Sequence, residues 1–160
     1  MKVVADTSPL CYLVLINCLD LLPNLYDKVI IPPAVFNELS APQAPEKVQD
    51  WLANSPDWLE VEPLETQPDL GLQELDLGEQ EAITLADSLG ADLIVLDDKA
   101  ARQIALQRGL RIIGLLGILG VAAQRDLVDL SVAIERLQQT NFRVSPNLVE
   151  SLLENYRDIE

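Results

Sequence analysis

Leu93-Ile94-Val95-Leu96 runs without a polar interruption straight into Asp97-Asp98. Four consecutive apolar residues are too few for a helix, and they lack the polar alternation of a half-exposed strand. They fit a strand buried on both faces. Strands of that kind belong to parallel sheets, where crossover helices cover both sides. The same pattern recurs along the chain. Residues 2–5 end at Asp6, Val29-Ile30-Ile31 ends at Pro32-Pro33, and 110–113 closes at Gly114. The stretches between these strands carry helical spacing over 10–22, 34–39, 79–89 and 99–108. Strands alternating with helices predict an α/β fold built on a parallel sheet.

The remaining punctuation fits that plan. Pro32-Pro33 ends a strand and opens a helix, since proline is tolerated in a first helical turn. Ser40 to Pro45 is a loop, 47–54 a short helix that places Trp51 and Leu52 on the core, and 59–61 a minor strand. Residues 62–75 are polar and contain prolines, hence a connector. Gly78 precedes the 79–89 helix, whose apolar stripe is Ala82, Leu85, Ala86 and Leu89, and Gly90 ends it. Gly109 ends the 99–108 helix. A helix over 115–124 and two terminal helices over 129–139 and 146–156 complete the chain. With 160 residues, the expectation is one domain over 1–160, with 126–160 as a helical extension packed on it. Gly114, Gly117 and Gly120 match neither dinucleotide nor phosphate-loop spacing, so they read as a helix start and close packing.

Composition narrows the chemistry. The chain has no histidine, which excludes a Ser-His-Asp hydrolase and imidazole metal sites. Its two cysteines, Cys11 and Cys18, are too few for a disulfide framework. Seven apart, they fit neighbouring faces of the 10–22 helix as free thiols in a reducing cytoplasm. Asp6 interrupts the early apolar run, so no signal peptide or membrane span is expected. Eleven Lys and Arg stand against 26 Asp and Glu, a net charge of −15. That surface repels nucleic acid at long range, but a phosphodiester can still be held through bound cations.

Ligands of open parallel sheets sit outside the carboxyl ends of the strands. Asp6 and the pair Asp97-Asp98 leave such ends directly, so neighbouring first and fourth strands would place them in one cleft. Glu38 lies one or two turns into the helix after the second strand. Glu79 and Glu81 begin the helix before the Leu93 strand; two residues apart, they point to different sides, so at most one faces the cluster. Crowded carboxylates stay ionised only beside positive charge, and a hard divalent cation, Mg²⁺ or Mn²⁺, is the simplest source. Such an ion activates water for attack on phosphorus without a histidine. Ordinary roles are open to the same acids. Asp6, Thr7 or Ser8 can cap a helix, Glu38 can be a surface residue, and Glu79 and Glu81 favour a helix N-terminus. Asp97 and Asp98 can cap the helix that follows them, and Asp98 can pair with Arg102 one turn on.

Taken together, Asp6-Thr7-Ser8-Pro9-Leu10, Ile31-Pro32 with Val35 and Glu38-Leu39, Leu77-Gly78-Glu79 with Glu81-Ala82-Ile83, Leu96-Asp97-Asp98-Lys99 with Ala101-Arg102, and Gly114 to Leu119 resemble a PIN-domain protein. The likeness is to the VapC-like group of short prokaryotic PIN proteins, the DUF3368 type, over residues 2–125. One departure is Leu115, where that branch carries threonine. The resemblance implies a three-layer α/β/α sandwich and an Mg²⁺- or Mn²⁺-dependent ribonuclease acting on single-stranded RNA. It assigns the four family acids to Asp6, Glu38, Glu81 and Asp98, with Asp97 and Glu79 as additional acids and Thr7 or Ser8 as a site hydroxyl. Lys99 or Arg102 contacts phosphate or, more in keeping with the surrounding acids, forms a salt bridge. The resemblance also implies a toxin silenced by a small antitoxin protein, and a homodimer. Two other classes stay open: an inactive PIN scaffold serving as an interaction module, and a phosphatase or flap-type DNA nuclease with a similar carboxylate cluster.

Overall fold

The computed structural model describes residues 1–142 and 145–157. Five parallel strands form one sheet: β1 (Val3–Ala5), β2 (Val29–Ile31), β3 (Leu59–Val61), β4 (Leu93–Val95) and β5 (Ile112–Ile113). Their spatial order is β3-β2-β1-β4-β5. Register pairs Val4 with Ile30 on one side of β1, and Ala5 with Val95 on the other. Every β1 and β2 residue is buried. Alternate residues nevertheless serve different cores, because successive side chains of a strand point to opposite faces. Val3, Ala5, Val29, Ile31 and Val95 join one apolar cluster; Val4, Ile30 and Ile94 join the other.

Helices cover both faces. The first cluster is filled from α1 (Thr7–Leu15), α2 (Leu21–Tyr26), α3 (Pro33–Ser40), α4 (Glu46–Ala53), α7 (Leu115–Gln124) and α8 (Leu130–Gln138). The second is filled from α5 (Leu77–Leu89) and α6 (Lys99–Gln107), with Leu72 and Leu75 from the connector. The result is the expected α/β sandwich around a parallel sheet. The last helix, α9 (Pro146–Arg157), packs with α8 against α7. Among the described residues no helix is long and apolar enough to cross a membrane.

Three expectations are corrected. The 10–22 helix is two helices, broken at Asn17, which sits at φ 59°. There Asn17 N–H donates to Val14 O (3.1 Å) and Cys18 N–H to Leu13 O (2.9 Å), the paired bonds of a Schellman C-cap. Asparagine tolerates that left-handed conformation, whereas the apolar run on both sides hides the break. Cys18 therefore lies beyond α1 and does not share a helix with Cys11; both thiols are free. The predicted 110–113 strand shrinks to two residues. Gly109, at φ 79°, ends α6 with the same bond pair, and Leu110 N–H is spent on Ala105 O. Finally, α5 starts at Leu77, two residues before the predicted boundary, because Asp76 caps it.

Candidate active site

Because β1 and β4 are neighbours in register, the chain leaves both strands at one edge. Asp6 N–H donates to Val95 O (3.0 Å), which draws the two exits together. Asp6 occupies the N-cap position of α1 but makes no side-chain cap bond. Its Oδ1 is buried and has no hydrogen-bond partner. Asp97 is held differently: Oδ1 accepts the Leu115 N–H at the start of α7 (2.9 Å), while Oδ2 is buried and partnerless. Gly114 permits this, since a Cβ there would lie 2.7 Å from Asp97 Oδ1 and 2.6 Å from Arg102 Nη1.

Asp6, Glu38, Asp76, Glu79, Asp97 and Asp98 all line one cleft of about 610 Å³, with Thr7 and Ser8 beside them. Glu38, Asp76, Glu79 and Asp98 are each positioned by a hydrogen bond. Thr7 Oγ1–H donates to Glu38 Oε1 (2.7 Å). Gly78 leaves room for that carboxylate, because a Cβ would stand 2.5 Å from Glu38 Oε2. Asp76 and Glu79 form a reciprocal capping box: Glu79 N–H donates to Asp76 Oδ1 (2.8 Å), and Asp76 N–H donates to Glu79 Oε1 (3.1 Å). Asp98 Oδ2 accepts the Ala101 N–H (3.0 Å) and caps α6.

Burial makes Asp6, Glu79 and Asp97 reluctant to ionise. Burial pushes the Asp6 carboxyl up from 3.8 to about 8; the Thr7 N–H opposes this, and Asp76, Glu79 and Glu38 reinforce it. Glu79 is raised to about 7 by burial and then by Asp76. Asp97 is raised by burial, against the pull of the Leu115 N–H and Arg102.

Several assignments shift. Glu81 does not line the cleft; its Oε1 accepts the Ala34 N–H (2.9 Å) in the first turn of α3. Of the pair Glu79 and Glu81, the one facing the cleft is Glu79. Arg102 does not pair with Asp98: its Nη1–H donates to Leu96 O (3.0 Å). Lys99 is exposed and has no ion-pair partner among the described residues, so neither basic residue makes the expected salt bridge. Asp76 was missed, although Asp76-x-x-Glu79 is the capping-box spacing. Cys11, Tyr12 and Asn141 also line the cleft. Tyr12 O–H donates to Asn141 Oδ1 (2.6 Å) across 129 positions of chain, a contact no local signal announces.

Among the described residues, no three His, Cys, Asp or Glu side chains are gathered tightly enough to hold a metal ion as they stand. The donor set fits one nonetheless. It is all oxygen, as hard divalent cations require, and two of its buried oxygens lack any partner. A family model described as a PIN domain of the DUF3368 type matches residues 2–158. No curated protein and no solved structure matches the chain.

Proposed function

The chain belongs to the PIN-domain family, DUF3368 type, and on that premise we propose that it is a divalent-cation-dependent endoribonuclease that hydrolyses phosphodiester bonds of single-stranded RNA. The observation that carries this reading is the pair of buried, partnerless carboxylate oxygens, Asp6 Oδ1 and Asp97 Oδ2, on the exits of adjacent strands. A protein rarely leaves such atoms unsatisfied, because each costs about 1–3 kcal/mol, and more when charged. Many members of the family act as nucleases, and a cation bound between strand-end acids is a direct way to satisfy both atoms.

Asp6, Asp97, Glu38 and Glu79 would hold Mg²⁺ or Mn²⁺, with Asp98 and Asp76 at the rim. The bound cation supplies Lewis-acid chemistry, neutralising the acids and the charge that grows on the phosphate oxygens. Thr7 fixes Glu38, and the Leu115 N–H fixes Asp97, so the carboxylates are aimed before substrate arrives. Glu79, anchored through Oε1 to the Asp76 N–H, would present its other oxygen to the cation. The same family reading extends to a toxin silenced by a small antitoxin protein, a homodimer as the working form, and the cytoplasm as its location.

The test is cleavage of labelled single-stranded RNA with Mn²⁺ or Mg²⁺, with EDTA, and with Asp6→Asn and Asp97→Asn, against DNA and a small phosphoester as alternative substrates. Loss of RNA cleavage in EDTA and in both variants supports the reading; activity that survives either treatment overturns it. The ungathered arrangement of the acids favours one second reading, an inactive PIN scaffold. Calorimetric titration with Mn²⁺ separates the two, since the scaffold takes up no ion.

A further inference from the structure

A chain with 26 acids and 11 bases offers RNA very little backbone contact. Four of its described cations are already committed, and Lys2, Arg111 and Arg125 line neither the acid cleft nor the depression next to it. Lys28 pairs with Glu60, Arg108 with Asp69, Lys47 donates to Asn17 Oδ1, and Arg136 to Ile16 O. Lys99 and Arg102 differ. They stand on α6 at the mouth of a second groove, of about 670 Å³, which runs between α6, β5 and α7 and shares Asp97 with the acid cleft. Arg102 uses one nitrogen, Nη1, for Leu96 O. Lys99 is exposed and unpaired among the described residues.

The rest of the groove is mainly apolar, with Gln103 and Ser145 as its polar members. Ile113, Leu116 and Phe142 are among its apolar lining. Gly117 lets Ile113 lie close, as a Cβ there would meet Ile113 Cγ1 at 2.7 Å. Phe142 meets Tyr12 edge-on, with ring centroids 5.0 Å apart and planes at 76°. Tyr12 lines the acid cleft, so the two aromatic rings bridge one depression to the other.

We propose that this groove seats the substrate strand beside the scissile phosphate: Lys99 and Arg102 take a flanking phosphate, and a base lies against Phe142, Ile113 and Leu116. The proposal rests on the ribonuclease reading and deepens it by naming where the flank of the RNA runs. A nucleotide matches the groove in kind, with a flat apolar base beside a charged phosphate. Continuity with the acid cleft through Asp97 favours the substrate strand over an acidic, apolar peptide. The arrangement also answers how so acidic a chain holds RNA. It needs one local pair of cations next to the cleft, not a basic surface.

The experiment is fluorescence anisotropy of a dye-labelled single-stranded oligoribonucleotide, in Ca²⁺ to slow turnover, across a salt series. Wild type is compared with Lys99→Glu and with Lys28→Glu, a charge-matched change far along the chain. Lys99→Glu is expected to weaken binding by roughly five- to tenfold and to reduce the salt slope by about one. Lys28→Glu is expected to stay within about twofold of wild type. Equal loss in both variants, or none in Lys99→Glu, overturns the proposal and leaves the groove to a peptide partner or to bulk charge. If wild type cleaves RNA while Lys99→Glu binds normally, this inference fails and the ribonuclease reading stands. If binding depends on Lys99 but no cleavage occurs, the groove stands and the catalytic reading fails.

Discussion

Asp6 sets function against stability in one side chain. Its carboxyl is almost fully buried, its Oδ1 lacks a partner, and its value of about 8 means that folding has to strip solvent from a group that ionises freely in the unfolded chain. Asp6→Asn keeps the shape and removes the charge. The variant is expected to lose about 10²-fold or more in RNA cleavage, yet to melt several degrees above wild type in EDTA at pH 8, with about 2–4 °C for each kcal/mol regained. A melt at or below the wild-type temperature would show that the carboxylate is satisfied by something else. Gly78 gives a second single-residue test. An added Cβ strikes the carboxylate of Glu38, the free end of a flexible side chain that can swing away, but only by leaving Thr7 Oγ1. Gly78→Ala is therefore expected to change stability by less than about 1 kcal/mol, helix propensity offsetting the displacement, while Mn²⁺ affinity measured by calorimetry falls. The positions of Asp6 and Asp97 were legible from the sequence, because strand ends are marked by apolar runs that stop. Their want of partners was not, since it depends on burial created by α3, α5 and α7 together.

Helix α5 carries two acids with opposite duties, and the difference comes from where each points. Glu79 faces the cleft and closes the capping box with Asp76; Glu81 reaches the other way and holds the Ala34 N–H in the first turn of α3. Glu81→Ala is expected to lower stability by about 0.5–2 kcal/mol, the usual range for a lost cap, with Mn²⁺ affinity unchanged. Glu79→Gln should weaken Mn²⁺ binding with little loss of stability, because the amide oxygen can still accept the Asp76 N–H. Denaturant midpoints and calorimetry on the two variants decide between them, and the reverse pattern would return the cleft role to Glu81. Elements were easier to read than their ends. The Leu93 strand stands out through its uninterrupted apolar run, and Pro33 marks the start of α3. The break at Asn17 and the shortening of β5 were hidden, since a single left-handed residue ends α1 inside apolar sequence and Leu110 looks like strand until its N–H is seen to close α6. The Asp76 cap was readable from its spacing to Glu79. Selecting Glu79 over Glu81 required the packing of α3 along α5.

The parallel order β3-β2-β1-β4-β5 sends β1 and β4 side by side, and that adjacency turns scattered acids into one cleft. The alternation of strands and helices predicted the sheet, but the neighbour relation between the first and fourth strands is a tertiary fact that pattern alone leaves conditional. Its consequence is measurable on the whole protein. Asp6 and Glu79 are raised from 3.8 to about 8 and from 4.5 to about 7 on folding, with burial as the leading cause in each. Between their unfolded and folded values the native chain binds more protons than the unfolded one, so stability falls as pH rises. The stabilising effect of protonation is fully present below about pH 4 and is lost as the pH passes through 7 and 8. In EDTA, then, the melting temperature is expected to fall between pH 5 and pH 8 by more in wild type than in Asp6→Asn, whose buried group no longer titrates. Mn²⁺ acts in the opposite sense, because a cation binds the ionised acids and must displace protons at low pH. The increment that Mn²⁺ adds to the melting temperature should therefore be small at pH 5 and several degrees at pH 8, and should shrink in Asp6→Asn at both. A Mn²⁺ increment that is flat across that range, or equal in wild type and variant, would mean that the ion binds elsewhere on the acidic surface and not between the strand ends.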